Sequence, residues 1–114
     1  QKADRWVFYW EKLEAFRRAS AVFAVSDAYA VDLMAFLAEQ GISVPEDISV
    51  AGFDDTPVCE MLRPALTTVH QNGALRAKLA VDTLRELKEG RAVETGIKLP
   101  VSLVIRKSTA ERKR

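Results

Sequence analysis

Cysteine and histidine are nearly absent from this 114-residue chain, which has one of each, Cys59 and His70. A lone cysteine excludes an internal disulfide and fits a reducing compartment. With no partner histidine in a recognisable motif, Cys59 is expected to be a buried or interfacial thiol. His70 has no nucleophile or metal-ligand cluster beside it, so a structural strand residue is expected there rather than a catalyst, and no metal or other cofactor is implied. Excess charge of either sign is missing too. Seventeen Lys and Arg against sixteen Asp and Glu leave a net charge of +1, which excludes the strongly basic footprint by which a domain grips DNA by itself. No apolar run approaches the roughly 20 residues that span a bilayer, so no membrane partner is expected. There is no glycine-rich phosphate loop, no repeat and no low-complexity linker. The chain opens on Gln1 with no charged-then-apolar leader, so the expectation is a cytoplasmic piece of a longer polypeptide, one domain or less in size.

What is present is patterned. Trp6, Tyr9, Trp10, Leu13 and Phe16 recur at spacings of three and four among charged residues, which predicts an amphipathic helix packed on a sheet face. AVFAV at Ala21–Val25 is short, apolar and stopped by Ser26 and Asp27, which predicts an inner parallel strand buried on both faces. Asp27 is then expected as a helix N-cap. The helix from Ala28 to Gln40 is apolar nearly all round, leaving Asp32 and Glu39 as its polar stripe. Such a helix must be covered on two sides, so a sheet-facing set around Leu33, Phe36 and Leu37 stands opposite a candidate subunit interface of Val31, Met34 and Ala35, which Val58 and Leu62 extend. Gly41 supplies a left-handed stop, and Pro45 keeps the chain from re-entering a helix. Strands are predicted at Ile48–Phe53, Leu66–His70 and Leu99–Ile105, the last at an edge because of Pro100. A short turn is expected over Pro57–Pro64, and a long helix from Gly73 to Gly90. Arg112, Lys113 and Arg114 form a solvated basic tail. The order predicts an α/β fold with a mostly parallel sheet flanked by helices.

The most informative stretch is ISVAGFDDT at Ile48–Thr56, followed by LTTVHQ at Leu66–Gln71. Each is a strand ending in polar residues. Ligands of open α/β sheets bind beyond the carboxyl ends of the strands, where the loops diverge. Asp54 is therefore a candidate binder against the alternative of a turn residue, and Gln71 is one against a strand amide satisfied by backbone. Asp55 is expected to make local turn or cap bonds. Gly52, just before the acids, marks a place where the backbone bends or something approaches closely.

AVFAVSD at Ala21–Asp27, GISVPEDISVAGFDDT at Gly41–Thr56, RPALTTVHQ at Arg63–Gln71 and LPVSLVIRKST at Leu99–Thr109 together closely resemble the C-terminal part of LacI-family transcriptional regulators. The resemblance implies the C-terminal lobe of a periplasmic-binding-protein-like (type I) fold, two α/β lobes hinged around a small effector. Residues 1–114 would be a partial effector-binding and dimerisation domain. The helix-turn-helix would lie upstream, and residues 71–98 would be a crossover segment packing on a first lobe that this sequence does not contain. By the same resemblance Asp54 hydrogen-bonds the effector and Gln71 reaches it. Ser26 replaces an asparagine that often contacts ligand, and Asp27 makes at most a secondary contact. Gly73 stands where some sugar-responsive members place an aromatic ring.

A carboxylate accepts hydrogen bonds from sugar hydroxyls or a purine N–H, and an amide both donates and accepts. The expected function is effector sensing and homodimerisation in a repressor responding to a sugar or purine-like ligand, with operator DNA engaged only through the upstream domain. In this piece the Ala77, Val81, Leu84 and Leu87 stripe would be exposed, so it folds back or docks on another copy, as in domain swapping. The alternatives are an extracytoplasmic sugar-binding protein of an uptake system and, more remotely, a magnesium-dependent phosphotransfer enzyme using Asp54 and Asp55.

Overall fold

A computed structural model describes residues 2–112, so Lys113 and Arg114 of the predicted basic tail lie outside the described residues. The elements follow the order α1 (Lys2–Glu11), α2 (Leu13–Arg18), β1 (Ala21–Phe23), α3 (Asp27–Glu39), β2 (Ser49–Asp54), α4 (Val58–Met61), β3 (Thr67–Gln71), α5 (Gly73–Lys88) and β4 (Val101–Val104). The sheet order is β1-β2-β3-β4. β1, β2 and β3 are parallel, with Val22 opposite Val50 and Gly52 opposite Thr68. The chain divides into two compact units, one of Gln1–His70 with Leu103–Arg114 and the other of Gln71–Ser102.

In the first unit, α3 lies on β2 and buries Leu33, Phe36 and Leu37 with Ile48, Val50 and Leu66. This is the sheet-facing set expected from its sequence. Gly41 ends that segment at φ +72°, a left-handed conformation that costs glycine little. Two expectations are corrected. β1 is an edge strand among the described residues rather than an inner one buried on both faces, with Phe23 68% exposed and Val25, just past its end, 77% exposed. The first helix does not rest mainly on a sheet face. It breaks at Lys12 into α1 and α2, and the rings of Trp6, Tyr9 and Trp10 converge on Phe36 of α3 at centroid distances of 5.3, 5.4 and 5.4 Å. Asp32, assigned to a polar stripe, fastens that contact by accepting from Arg5 Nε at 2.8 Å and Trp6 Nε1 at 3.1 Å.

After β4 the chain reaches the beginnings of β2 and β3. Buried Ser108 donates from Oγ to the Val50 carbonyl at 2.6 Å and accepts there from the Thr67 amide at 2.8 Å, a staple between β2 and β3.

The second unit is built on α5. Asn72 caps it by accepting from the Leu75 amide at 3.0 Å, and Lys78 pairs with Asp82 one turn on. Val81, Leu84 and Leu87 are exposed along it.

Candidate functional site

The carboxyl ends of β1 and β2 place the first candidates. β1 leads through Ala24 and Val25 to Ser26, the residue before α3, and β2 ends on Asp54. Ser26 is the N-cap of α3, its Oγ accepting from the Tyr29 amide at 3.3 Å. This corrects the expectation that Asp27 caps the helix. Serine and aspartate are nearly equal as caps, and Asp27 is drawn away by partners distant in sequence.

Asp27 is almost wholly buried. Its Oδ2 accepts from the Thr56 amide at 2.7 Å and from Thr56 Oγ1 at 3.0 Å, and its Oδ1 accepts from Thr68 Oγ1 at 2.6 Å. Burial alone would raise its pKa, but the hydrogen bonds from Thr68 and Thr56 outweigh that and hold the carboxyl below its ordinary range. Cys59 is buried beside it, and burial followed by the Asp27 charge pushes its thiol up to about 11.

The close approach expected at Gly52 is this carboxylate. A Cβ at Gly52 would stand 2.5 Å from Asp27 Oδ1 and 3.1 Å from the Asp27 Cα. The glycine lets the start of α3 sit directly against β2.

Past Gly52 the backbone takes a form side chains rarely adopt. Asp54 has φ 125° and Asp55 φ 61°. Two successive L-residues in this region store strain that surrounding contacts must hold, and such strain gathers at functional sites. Asp54 is partly exposed there.

Asp55 does not make the local turn or cap bonds expected of it. Its Oδ1 accepts from Arg106 Nη2 at 2.8 Å, and its Oδ2 lies 2.9 Å from His70 Nδ1. The Arg106 hydrogen bond, against the smaller opposing effect of burial, lowers the Asp55 pKa, and Asp55 in turn raises that of Arg106. Arg106 was not a candidate from sequence, since a basic residue after a strand carries no signal of its own.

Gln71 ends β3 and opens the second unit, where its Oε1 accepts from Arg76 Nη1 at 3.2 Å. Of the proposed interface residues, Val31, Met34, Ala35 and Leu62 line one groove of about 530 Å³ with Ile42 and Val44. Val58, half-buried at the start of α4, is not among its lining residues. Among the described residues no group of three His, Cys, Asp or Glu could hold a metal ion, and no helix is long and apolar enough to cross a membrane.

The model of the periplasmic binding protein-like domain matches residues 1–109. The chain belongs to this family. Among its relatives are the lactose operon repressor of Escherichia coli K12, 41% identical over 90 residues that make up 79% of this chain and 25% of the repressor, and the HTH-type transcriptional repressor PurR of Pasteurella multocida, 38% identical over 97 residues, 82% of this chain and 28% of that one. A solved lac repressor dimer bound to operator and the anti-inducer ONPF superposes with a TM-score of 0.79 at 38% identity, covering 89% of this chain and 35% of that one. These periplasmic-binding-protein-like relatives are LacI-type repressors, and the chain spans about a quarter of the length of the two curated ones.

Proposed function

We propose that this chain is the effector-sensing and dimerisation part of a cytoplasmic, non-enzymatic transcriptional repressor of the LacI type, responding to a small sugar or purine-like molecule. The observation that carries the reading is the left-handed Asp54–Asp55 turn at the carboxyl end of β2. Strain there presents a carboxylate at the strand end, where a neutral polyol or purine N–H needs an acceptor. Ser26, at the end of the neighbouring strand, and the Gln71 amide supply further polar contacts. Operator DNA is engaged by a domain upstream of these residues, since the net charge of +1 gives this piece no electrostatic hold on it. Effector binding changes DNA affinity by its differential contacts with open and closed lobes. Dimerisation uses the groove lined by Val31, Met34, Ala35 and Leu62. Segment 71–98 packs on a first lobe or, in this piece alone, by domain swapping on another copy, which its exposed Val81, Leu84 and Leu87 support.

The test is a thermal-shift and calorimetric screen of the full-length protein with sugars and purine bases. One class should bind, and Asp54→Ala should weaken it tenfold or more, the scale of one lost hydrogen bond to a charged group. No binding from either class, or unchanged binding by the variant, overturns the reading.

A further inference from the structure

We propose that Asp55, gripped by Arg106 and His70, is a positioning residue that holds the Asp54–Asp55 turn in its left-handed form and so fixes where Asp54 stands. The proposal extends the regulator reading, because a fixed Asp54 matters to effector only if Asp54 binds it. Two adjacent aspartates at φ 125° and 61° do not keep that backbone unaided. The turn is secured from both sides. On the inner side the Thr56 amide and hydroxyl donate to buried Asp27. On the outer side both Asp55 oxygens are engaged, one by the Arg106 guanidinium and one by His70. An ionised carboxylate only accepts, so His70 Nδ1 carries the hydrogen.

Arg106 suits the role because it is itself immobilised. Its side chain is 14% exposed, Nη1 donates to the Leu66 carbonyl at 2.9 Å, and its backbone amide donates to Thr67 Oγ1 at 2.8 Å. A planar guanidinium can hold the Leu66 carbonyl and the Asp55 carboxylate in one fixed geometry, which an ammonium cannot. Glu60, exposed at 3.8 Å from Nη2, is a weaker second acceptor.

The positions of these residues in the chain add a second function for the clamp. His70 is the last residue before the polypeptide leaves the first unit, and Arg106 comes three residues after it returns at Leu103. One carboxylate thus ties the outgoing and incoming passages to the end of β2.

The experiment uses the full-length protein with Asp55→Ala, Asp55→Gly and Arg106→Gln variants. Hydrogen exchange without ligand is followed at segment 53–57, with segment 33–37 of α3 as internal reference. Asp55→Ala and Arg106→Gln should speed exchange at the turn at least tenfold and leave the reference unchanged. Asp55→Gly should recover much of the Ala loss, because glycine adopts φ near 60° without being held. Arg106→Gln separates the clamp from the cost of alanine itself, because it leaves residue 55 unchanged while glycine at that φ gains over alanine with or without the ion pair. Equal exchange in the Ala and Gly variants, or no change at the turn, overturns the clamp. Affinity for D-galactosides and purine bases is measured on the same proteins. Asp55→Ala should weaken whichever probe binds the wild type at least fivefold although Asp54 is intact, and undiminished affinity overturns the positioning role. If no probe binds the wild type while the exchange pattern holds, the clamp stands and the effector reading of Asp54 falls.

Discussion

Gly52→Ala should be among the most damaging single-methyl changes available to this chain. The new Cβ would meet Asp27 Oδ1 at 2.5 Å, the Asp27 Cα at 3.1 Å and Leu66 Cδ2 at 3.1 Å. None of the three yields easily. The carboxylate is held by the Thr56 amide and the Thr56 and Thr68 hydroxyls, the Cα belongs to the first residue of α3, and Leu66 is fully buried. Forcing a methyl into a packed core costs about 1–3 kcal/mol. Swinging the carboxylate aside instead gives up hydrogen bonds to a charged group, about 1.5–3 kcal/mol each. The molecule takes a mixture of the two, for an expected loss of about 2–4 kcal/mol.

Native domains are stable by only roughly 5–15 kcal/mol, so Tm should drop by on the order of 10–20 °C. Thermal unfolding followed by circular dichroism measures that shift, and guanidinium unfolding followed by Trp6 and Trp10 fluorescence measures the loss of free energy. A change below about 0.5 kcal/mol, the level of an inert surface substitution, would refute the argument. A second arm isolates the cause. In an Asp27→Ala background the 2.5 Å contact is gone, so adding Gly52→Ala should do less harm there. Additive losses, within about 0.5 kcal/mol, would show that the carboxylate is not what the methyl strikes.

Acid should unfold the chain through its depressed carboxylates. Asp27, Asp32 and Asp55 have folded pKa values below the ordinary range, so their stabilisation is present above about pH 4 and is lost as pH falls through the lower folded values. A urea midpoint flat from pH 5 to 2.5 would contradict this. Cys59, with its thiol pushed up to about 11, should resist aromatic disulfide reagents at pH 8 until the chain unfolds, and labelling of native protein at the rate of a free thiol would be the contrary result. Ala35→Glu puts a charge on an exposed position of the groove proposed for dimerisation. Sedimentation should then show monomer at micromolar concentration where the parent is dimeric, and unchanged sedimentation would move the interface elsewhere.

Periodicity and breaker residues carried most of the fold. The long apolar stretch of α3, the left-handed stop at Gly41 and the β-branched runs of β2 and β3 are local signals, and each of these elements formed within one residue of where those signals placed it. Strand neighbours are not local, so AVFAV could not disclose that its outer side is unpaired in these residues. Asp32 was misjudged for the same reason. Its sequence neighbours are apolar, but its partners lie 26 and 27 residues away on α1.

The site divides along the same line. Strand-end acids mark a crevice in any open α/β sheet, so Asp54 and Asp55 could be picked out as a pair, but which of the two is structural depends on residues 15 and 51 positions from Asp55. Ser26 caps α3 in place of Asp27 because Thr56 and Thr68, 29 and 41 residues from Asp27, take up its carboxylate. GFDDT is therefore a run of separate answers to distant partners. Gly52 admits Asp27, Thr56 binds it, and Asp55 takes Arg106 and His70. Asp54 is left in a backbone form set by the residues on either side of it, so two identical neighbouring side chains take different places although their sequence context is the same.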